Sequence, residues 1–228
     1  MQQTGEARTG ANQSTDKRIG LLTIGQSPRP DLVQTLPVLA PFAQVEAGAL
    51  DGLQADAIPP AAGAFPLTTR LADGAAIGAT VVVDEAFLLS RMQAAVQRLE
   101  DADVAAILLM CAGTFRTVTS RVPLVKPFEL TVATLRTWGW ARPLVVCPFA
   151  AQEAPMRARW RNAGFDAQVI TAQVDEVEAI GAAAAARQCV VLDYFGHPPA
   201  TVAGLRAALS QPVVDIGAFA AAALAAML

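Results

Sequence analysis

The chain has 228 residues, 54% of them apolar and 16% charged, with a net charge of −3. That is enough for one large core or two of about 100 residues each, and the slight negative charge argues against a nucleic-acid or anionic-membrane surface. Three cysteines and one histidine, without CxxC or HExxH spacing, point to neither a disulfide framework nor a metal site and suit a reducing cytoplasm.

Residues 1–17 (MQQTGEARTGANQSTDK) contain almost no large apolar side chains, which predicts a flexible tail and leaves no room for a secretory signal. Ile19 to Ile24 is a continuous apolar run that reads as a buried parallel strand. A helix is expected from Asp31 to Leu39, with Pro30 near its start and Pro41 beyond its end. Gln44 to Leu50 reads as a second strand, Pro59 to Ile77 as a loop with room for a short strand pair, and Ala79 to Val83 as a strand. Glu85 to Glu100 is the clearest amphipathic helix, with Leu88, Leu89, Met92, Ala95, Val96 and Leu99 on one stripe. The strand Val104 to Met110 then runs into Cys111-Ala-Gly-Thr114.

The second half repeats this grammar. Helices are expected at Leu130 to Trp140, Gln152 to Ala163, Val174 to Ala186 and Ala200 to Leu209, alternating with strands at Leu144 to Val146, Asp166 to Thr171, Cys189 to Asp193 and Val213 to Ile216. An Ala-rich helix closes the chain, its apolar run from Ala218 to Leu228 too short for the roughly 20 residues that cross a bilayer. Strict alternation argues for parallel sheets built from βαβ units. The halves also align: Ile107-Leu-Leu-Met-Cys111-Ala-Gly113-Thr114 matches Val190-Val-Leu-Asp-Tyr194-Phe-Gly196-His197, which suggests a pseudo-twofold duplication with a lobe boundary near Pro123.

Ligands of open parallel sheets bind beyond the carboxyl ends of the strands. The segments there are Thr23 to Arg29, Cys111 to Phe115, Cys147 to Phe149 and Tyr194 to His197. Cys111 is either a reactive thiol at a strand end or a small buried hydrophobe. Cys147 has the same two readings from the other half, whereas Cys189 begins its strand and reads as structural. Gly113 lets backbone approach a ligand, and the Thr114 hydroxyl can bond a carboxylate. His197 lies in a Gly-His-Pro-Pro turn, as a ligand-facing group or an ordinary turn residue. Ser27 and Arg29 either hold a carboxylate or cap a turn; the segment lacks GxGxxG and GxxxxGK[ST], so neither a dinucleotide nor ATP is supported.

Ile19-Gly-Leu-Leu-Thr-Ile-Gly25-Gln-Ser-Pro-Arg29, Leu108-Leu-Met-Cys111-Ala-Gly-Thr114 and Leu192-Asp193-Tyr-Phe-Gly-His197 resemble the AroM family, which is similar to the larger aspartate/glutamate racemase superfamily. The resemblance implies an α/β fold of two pseudo-symmetric lobes, each a parallel four-stranded sheet flanked by helices, with the site in the cleft between them. It implies that the C-terminal helix returns to the first lobe, giving an N-terminal lobe of 18–122 plus 213–228 and a C-terminal lobe of 123–212. It further implies cofactor-free proton transfer between two thiols, one per lobe. Cys111 matches the first thiol; Tyr194 stands where the second should be, and a phenol with a pKa near 10 is a poor base but a usable acid.

The expected function is therefore that of a cofactor-independent isomerase, racemase or decarboxylase-like lyase, working at a carbon α to a carboxylate or carbonyl of a small molecule. Cys111 and Tyr194 are its expected catalytic pair; Ser27, Arg29, Gly113, Thr114, Cys147, Gly196 and His197 are its expected substrate-binding groups. The alternative is a non-catalytic small-acid-binding protein that kept the cleft after losing a thiol. A redox role for Cys111 and Cys147 is a third reading. The protein is expected in the cytoplasm without nucleic-acid or membrane partners, and its apolar helices allow a homodimer.

Overall fold

The computed structural model describes residues 17–63, 66–73 and 76–228. All but Lys17 of the expected flexible tail lies outside these residues. Two four-stranded sheets form, both wholly parallel. The first has the order β2-β1-β5-β6, from β1 (Arg18–Thr23), β2 (Ala43–Gly48), β5 (Ala106–Leu109) and β6 (Leu124–Val125). The second has the order β10-β9-β7-β8, from β7 (Pro143–Cys147), β8 (Gln168–Thr171), β9 (Cys189–Leu192) and β10 (Val213–Asp215). Read from the other edge the second order repeats the first, so β1 corresponds to β7 and β5 to β9. Five of six residues in β1 and every residue of β5, β7 and β9 are buried. Central strands covered on both faces need such unbroken apolar runs.

Helices cover both faces. α2 (Glu85–Asp101) turns Leu88, Met92, Ala95, Val96 and Leu99 into the first core, as its periodicity requires. α3 (Pro127–Thr137), α4 (Glu153–Asn162), α5 (Val177–Ala184) and α6 (Pro199–Ala208) serve the second lobe. α7 (Ile216–Met227) buries Ala220, Ala221 and Leu224 against Leu108 and Met110 of the first lobe; its small side chains let it lie close.

Three expectations need correcting. The helix expected from Asp31 to Leu39 is one short helix, α1 (Pro30–Val33), and a 3₁₀ turn at Pro37–Leu39. Pro37 cannot donate to an α-helical ladder and restricts the residue before it. The strand pair allowed for within Pro59 to Ile77 is longer than expected: β3 (Leu67–Asp73) pairs antiparallel with β4 (Ala76–Val83), which takes in the strand expected at Ala79 to Val83. The lobe boundaries also shift: Leu124–Val125 pairs with β5 in the first sheet, and Val213–Asp215 pairs with β9 in the second, so only α7 of the final segment returns to the first lobe.

Candidate active site in the interlobe cleft

The carboxyl ends of both sheets and the β3–β4 hairpin enclose a cleft of about 540 Å³. Parallel pairing sets its depth: Leu22 lies opposite Leu109, so the turns after β1 and β5 leave the first sheet at one level. In the second sheet Val146 lies opposite Leu192, which levels the turns after β7 and β9.

Cys111 follows β5 and faces this space. Its Sγ accepts a hydrogen bond from the Gly113 N–H at 3.3 Å, in the tight turn that the missing side chain of Gly113 permits. The residue is half-buried, yet burial of the sulfur pushes its thiol up to about 11, against lowering by the Gly113 N–H and the Arg159 charge. The resting cysteine is thus a protonated thiol at neutral pH.

Tyr194 lies at the matching position after β9 and lines the same cleft. Burial, with nearby carboxylates, pushes its phenol up to about 12. Behind it Asp193 is fully buried and accepts from the Trp160 Nε1–H at 2.7 Å and from Arg159 in a short ion pair. Burial raises the Asp193 carboxyl, opposed by the Arg159 charge. Arg159 also donates to the Ala112 carbonyl at 2.7 Å. One guanidinium from the second lobe therefore holds the backbone beside Cys111. Sequence reasoning passed over both residues. A lone aspartate ending the apolar run Val190-Val-Leu192 was the available signal, since a buried carboxylate needs a cationic partner.

Arg29 lines the cleft, 7% exposed, but its guanidinium is committed to Asp31 through two bonds of 2.8 and 2.7 Å. Burial alone would raise the Asp31 carboxyl; the Arg29 hydrogen bond and charge outweigh it and leave it lowered. The hairpin supplies what the sequence did not announce. Thr69 lines the cleft with a buried hydroxyl lacking a partner among the described residues, and the exposed Arg70 beside it enters none of the described salt bridges. Gly196 lines the cleft at a φ of 99°, a backbone state that favours glycine.

The expected convergence needs correcting at four residues. Ser27 turns to Asp51, its hydroxyl 3.1 Å from each carboxylate oxygen, because that carboxylate also caps the Ser27 and Gly48 N–H groups. Thr114 is half-buried outside the cleft lining, beside Phe115, whose ring is drawn into the first core. Cys147 is fully buried in the second core, its thiol 3.6 Å from the Phe149 carbonyl and 3.7 Å from the Thr171 hydroxyl. His197 lines a different cavity, its ring centroid 3.9 Å from that of Tyr194. Cys111, Gly113, Arg29, Tyr194 and Gly196 do share the cleft. Among the described residues no cluster of His, Cys, Asp and Glu is arranged to hold a metal, and no helix is long and apolar enough to cross a membrane.

Two parallel four-stranded lobes meeting at one cysteine-bearing cleft define the aspartate/glutamate racemase fold, and solved structures agree. An aspartate racemase homologue from Pyrococcus horikoshii OT3 superposes with a TM-score of 0.58 at 12% identity, over 92% of this chain and 98% of its own. A maleate cis-trans isomerase from Nocardia farcinica gives 0.60 at 15% identity, over 93% of each chain; a variant of that isomerase, at 0.58 and 15%, carries a covalently bound succinylcysteine intermediate. An arylmalonate decarboxylase gives 0.58 at 12% identity, over 92% of this chain and 91% of its own. The AroM protein family matches residues 19–228, and the chain belongs to that family. No curated protein matches it in sequence.

Proposed function

We propose that the cleft carries out cofactor-independent proton transfer at a carbon α to the carboxylate of a small acid, with Cys111 as proton donor. The observation that carries this reading is the Cys111 thiol, set at a strand end in the interlobe cleft and held protonated to about 11. Tyr194, which also lines the cleft, is protonated as well, held to about 12, so the resting cleft offers two acids. Two-sided racemisation needs a base on one side. Decarboxylation does not: the bond to the departing carboxylate breaks, its electron pair stays on the α-carbon as an enolate, and CO₂ leaves. The Cys111 proton then goes to that carbon, and the thiolate left behind recovers a proton from water. The Gly113 N–H, already bonded to the sulfur, stabilises this thiolate. Arg70 and the Thr69 hydroxyl are the groups placed to receive the remaining carboxylate. The decarboxylase and isomerase among the structural relatives support chemistry of this type on this fold.

The experiment is incubation in D₂O with substituted malonates, amino acids and hydroxy acids, beside Cys111→Ala. Deuterium at an α-carbon or release of CO₂ that vanishes in Cys111→Ala is the expected result. Full activity of that variant would refute the role of Cys111. The lone thiol of the cleft lining also favours a second reading, a small-acid-binding protein without turnover. Saturable binding of an acid with neither exchange nor CO₂ release would select it.

A further inference from the structure

The charged side chains that line the cleft are Arg29, Asp31, Arg70, Arg159 and Asp193, which leaves one positive charge in excess. Both aspartates already have partners. Arg29 holds the two Asp31 oxygens at 2.8 and 2.7 Å. Asp193 pairs with Arg159, accepts from the Trp160 Nε1–H at 2.7 Å, and has no exposed side-chain surface for a ligand. The charge in excess is Arg70, an exposed residue whose side chain enters none of the described hydrogen bonds or salt bridges.

The backbone puts Arg70 beside the reactive strand end. Its carbonyl accepts from the Gln26 N–H at 3.1 Å in the turn after β1, and the Met110 N–H donates to the Leu22 carbonyl of β1 at 2.8 Å. Cys111 is the next residue. A carboxylate therefore finds a free guanidinium here. An α-ammonium meets a cationic cleft without a free carboxylate, an arrangement that rejects it.

The apolar part of the wall comes from both lobes: Ile24, Leu67 and Met110 from the first, Phe149, Met156 and Phe195 from the second. Phe149 is 49% exposed, so its ring has apolar surface to offer an occupant. A benzene ring needs a cavity of about 150 Å³, and the cleft of about 540 Å³ has room for one beside a carboxylate.

We propose that the cleft selects acids that carry a ring-sized apolar substituent and no ammonium, with the carboxylate on Arg70 and the substituent against Phe149 and its apolar neighbours. This rests on the reading of the cleft as a small-acid site and names the acid: the one that remains there after CO₂ has left.

Three probes that differ by one group each test it. Calorimetric titration of the full-length chain with 3-phenylpropionate is expected to show saturable binding. Phenylalanine, which adds the ammonium, and propionate, which lacks the ring, are each expected to bind at least about tenfold more weakly. Arg70→Gln is expected to weaken 3-phenylpropionate by about tenfold, with partial recovery in Arg70→Lys, and Phe149→Ala to erase most of its advantage over propionate. Circular dichroism checks that the variants are folded. Phenylalanine or propionate binding as tightly as 3-phenylpropionate, no binding of any of the three, or an affinity unchanged by Arg70→Gln would overturn the proposal. None of these readouts needs turnover. Cys111-dependent CO₂ release without the preference would sink this inference alone, and the preference without any Cys111-dependent chemistry would sink the proposed reaction alone.

Discussion

Cys111 and Tyr194 occupy equivalent strand ends, and burial shifts both upward, to about 11 and about 12. For Cys111 the sign has a direct consequence. An ordinary thiol ionises near 9.0, whereas the folded chain holds this proton to about 11. The native state therefore binds more protons than the unfolded chain between those values, and stability falls as pH rises through the interval. Alkylation should follow: the rate at Cys111, tracked by mass spectrometry, is expected to climb beyond pH 10 and to lie about a hundredfold below that of the unfolded chain at pH 8. A midpoint near pH 9, with a plateau by about pH 10, would show an unperturbed thiol. Cys147 and Cys189 share the upward direction through burial, and their full burial leaves them out of the alkylation readout.

At the level of elements, the β3–β4 hairpin changes the site most. Gln26 ties it down: its backbone N–H donates to the Arg70 carbonyl at 3.1 Å, its Oε1 accepts from the Ala72 N–H at 2.7 Å, and its Nε2 donates to the Leu50 and Leu53 carbonyls. Gly25 lets the hairpin approach, since a Cβ there would collide with the Arg70 carbonyl and the Thr69 hydroxyl. Gly25→Ala is accordingly expected to cost about 1–3 kcal/mol by overpacking, read from urea unfolding, and to speed trypsin cleavage after Arg70 by loosening the hairpin backbone. Unchanged stability and unchanged cleavage would mean the hairpin does not press on the β1 turn. This element was half-legible. The alternation in Leu67-Thr-Thr-Arg-Leu71 has strand period, but the Ala, Gly and Thr content around it reads as loop, and only the pairing with Ala76–Val83 makes it a ribbon.

For the molecule as a whole, Arg159 joins the lobes. It reaches from α4 to the Ala112 carbonyl beside Cys111, pairs with Asp193 and lies 4.3 Å from the Phe128 ring centroid. Arg159→Met would strand the fully buried Asp193 carboxylate, and removing one partner of such a pair costs about 3–5 kcal/mol. Urea denaturation is expected to show that loss, and Asp193→Asn added to Arg159→Met is expected to recover part of it by removing the uncompensated charge. A loss near zero would mean that solvent reaches Asp193 in the variant.

The sequence by itself determined the alternation of elements, the parallel character of the sheets and the duplication. Burial on both faces forces continuous apolar strands, and the ends of such strands mark where ligands gather. It also placed Cys111 and Tyr194 at equivalent strand ends, and both line the cleft. What only the tertiary structure decided was which neighbours of those residues share the cleft. A turn residue's direction depends on partners far away in the chain: Asp51 draws off Ser27, the second core takes Cys147, and His197 lines a second cavity with Leu36 and Asp215. Arg159 enters for the same reason, since its partners Ala112 and Asp193 lie 47 and 34 positions away and no local pattern records them.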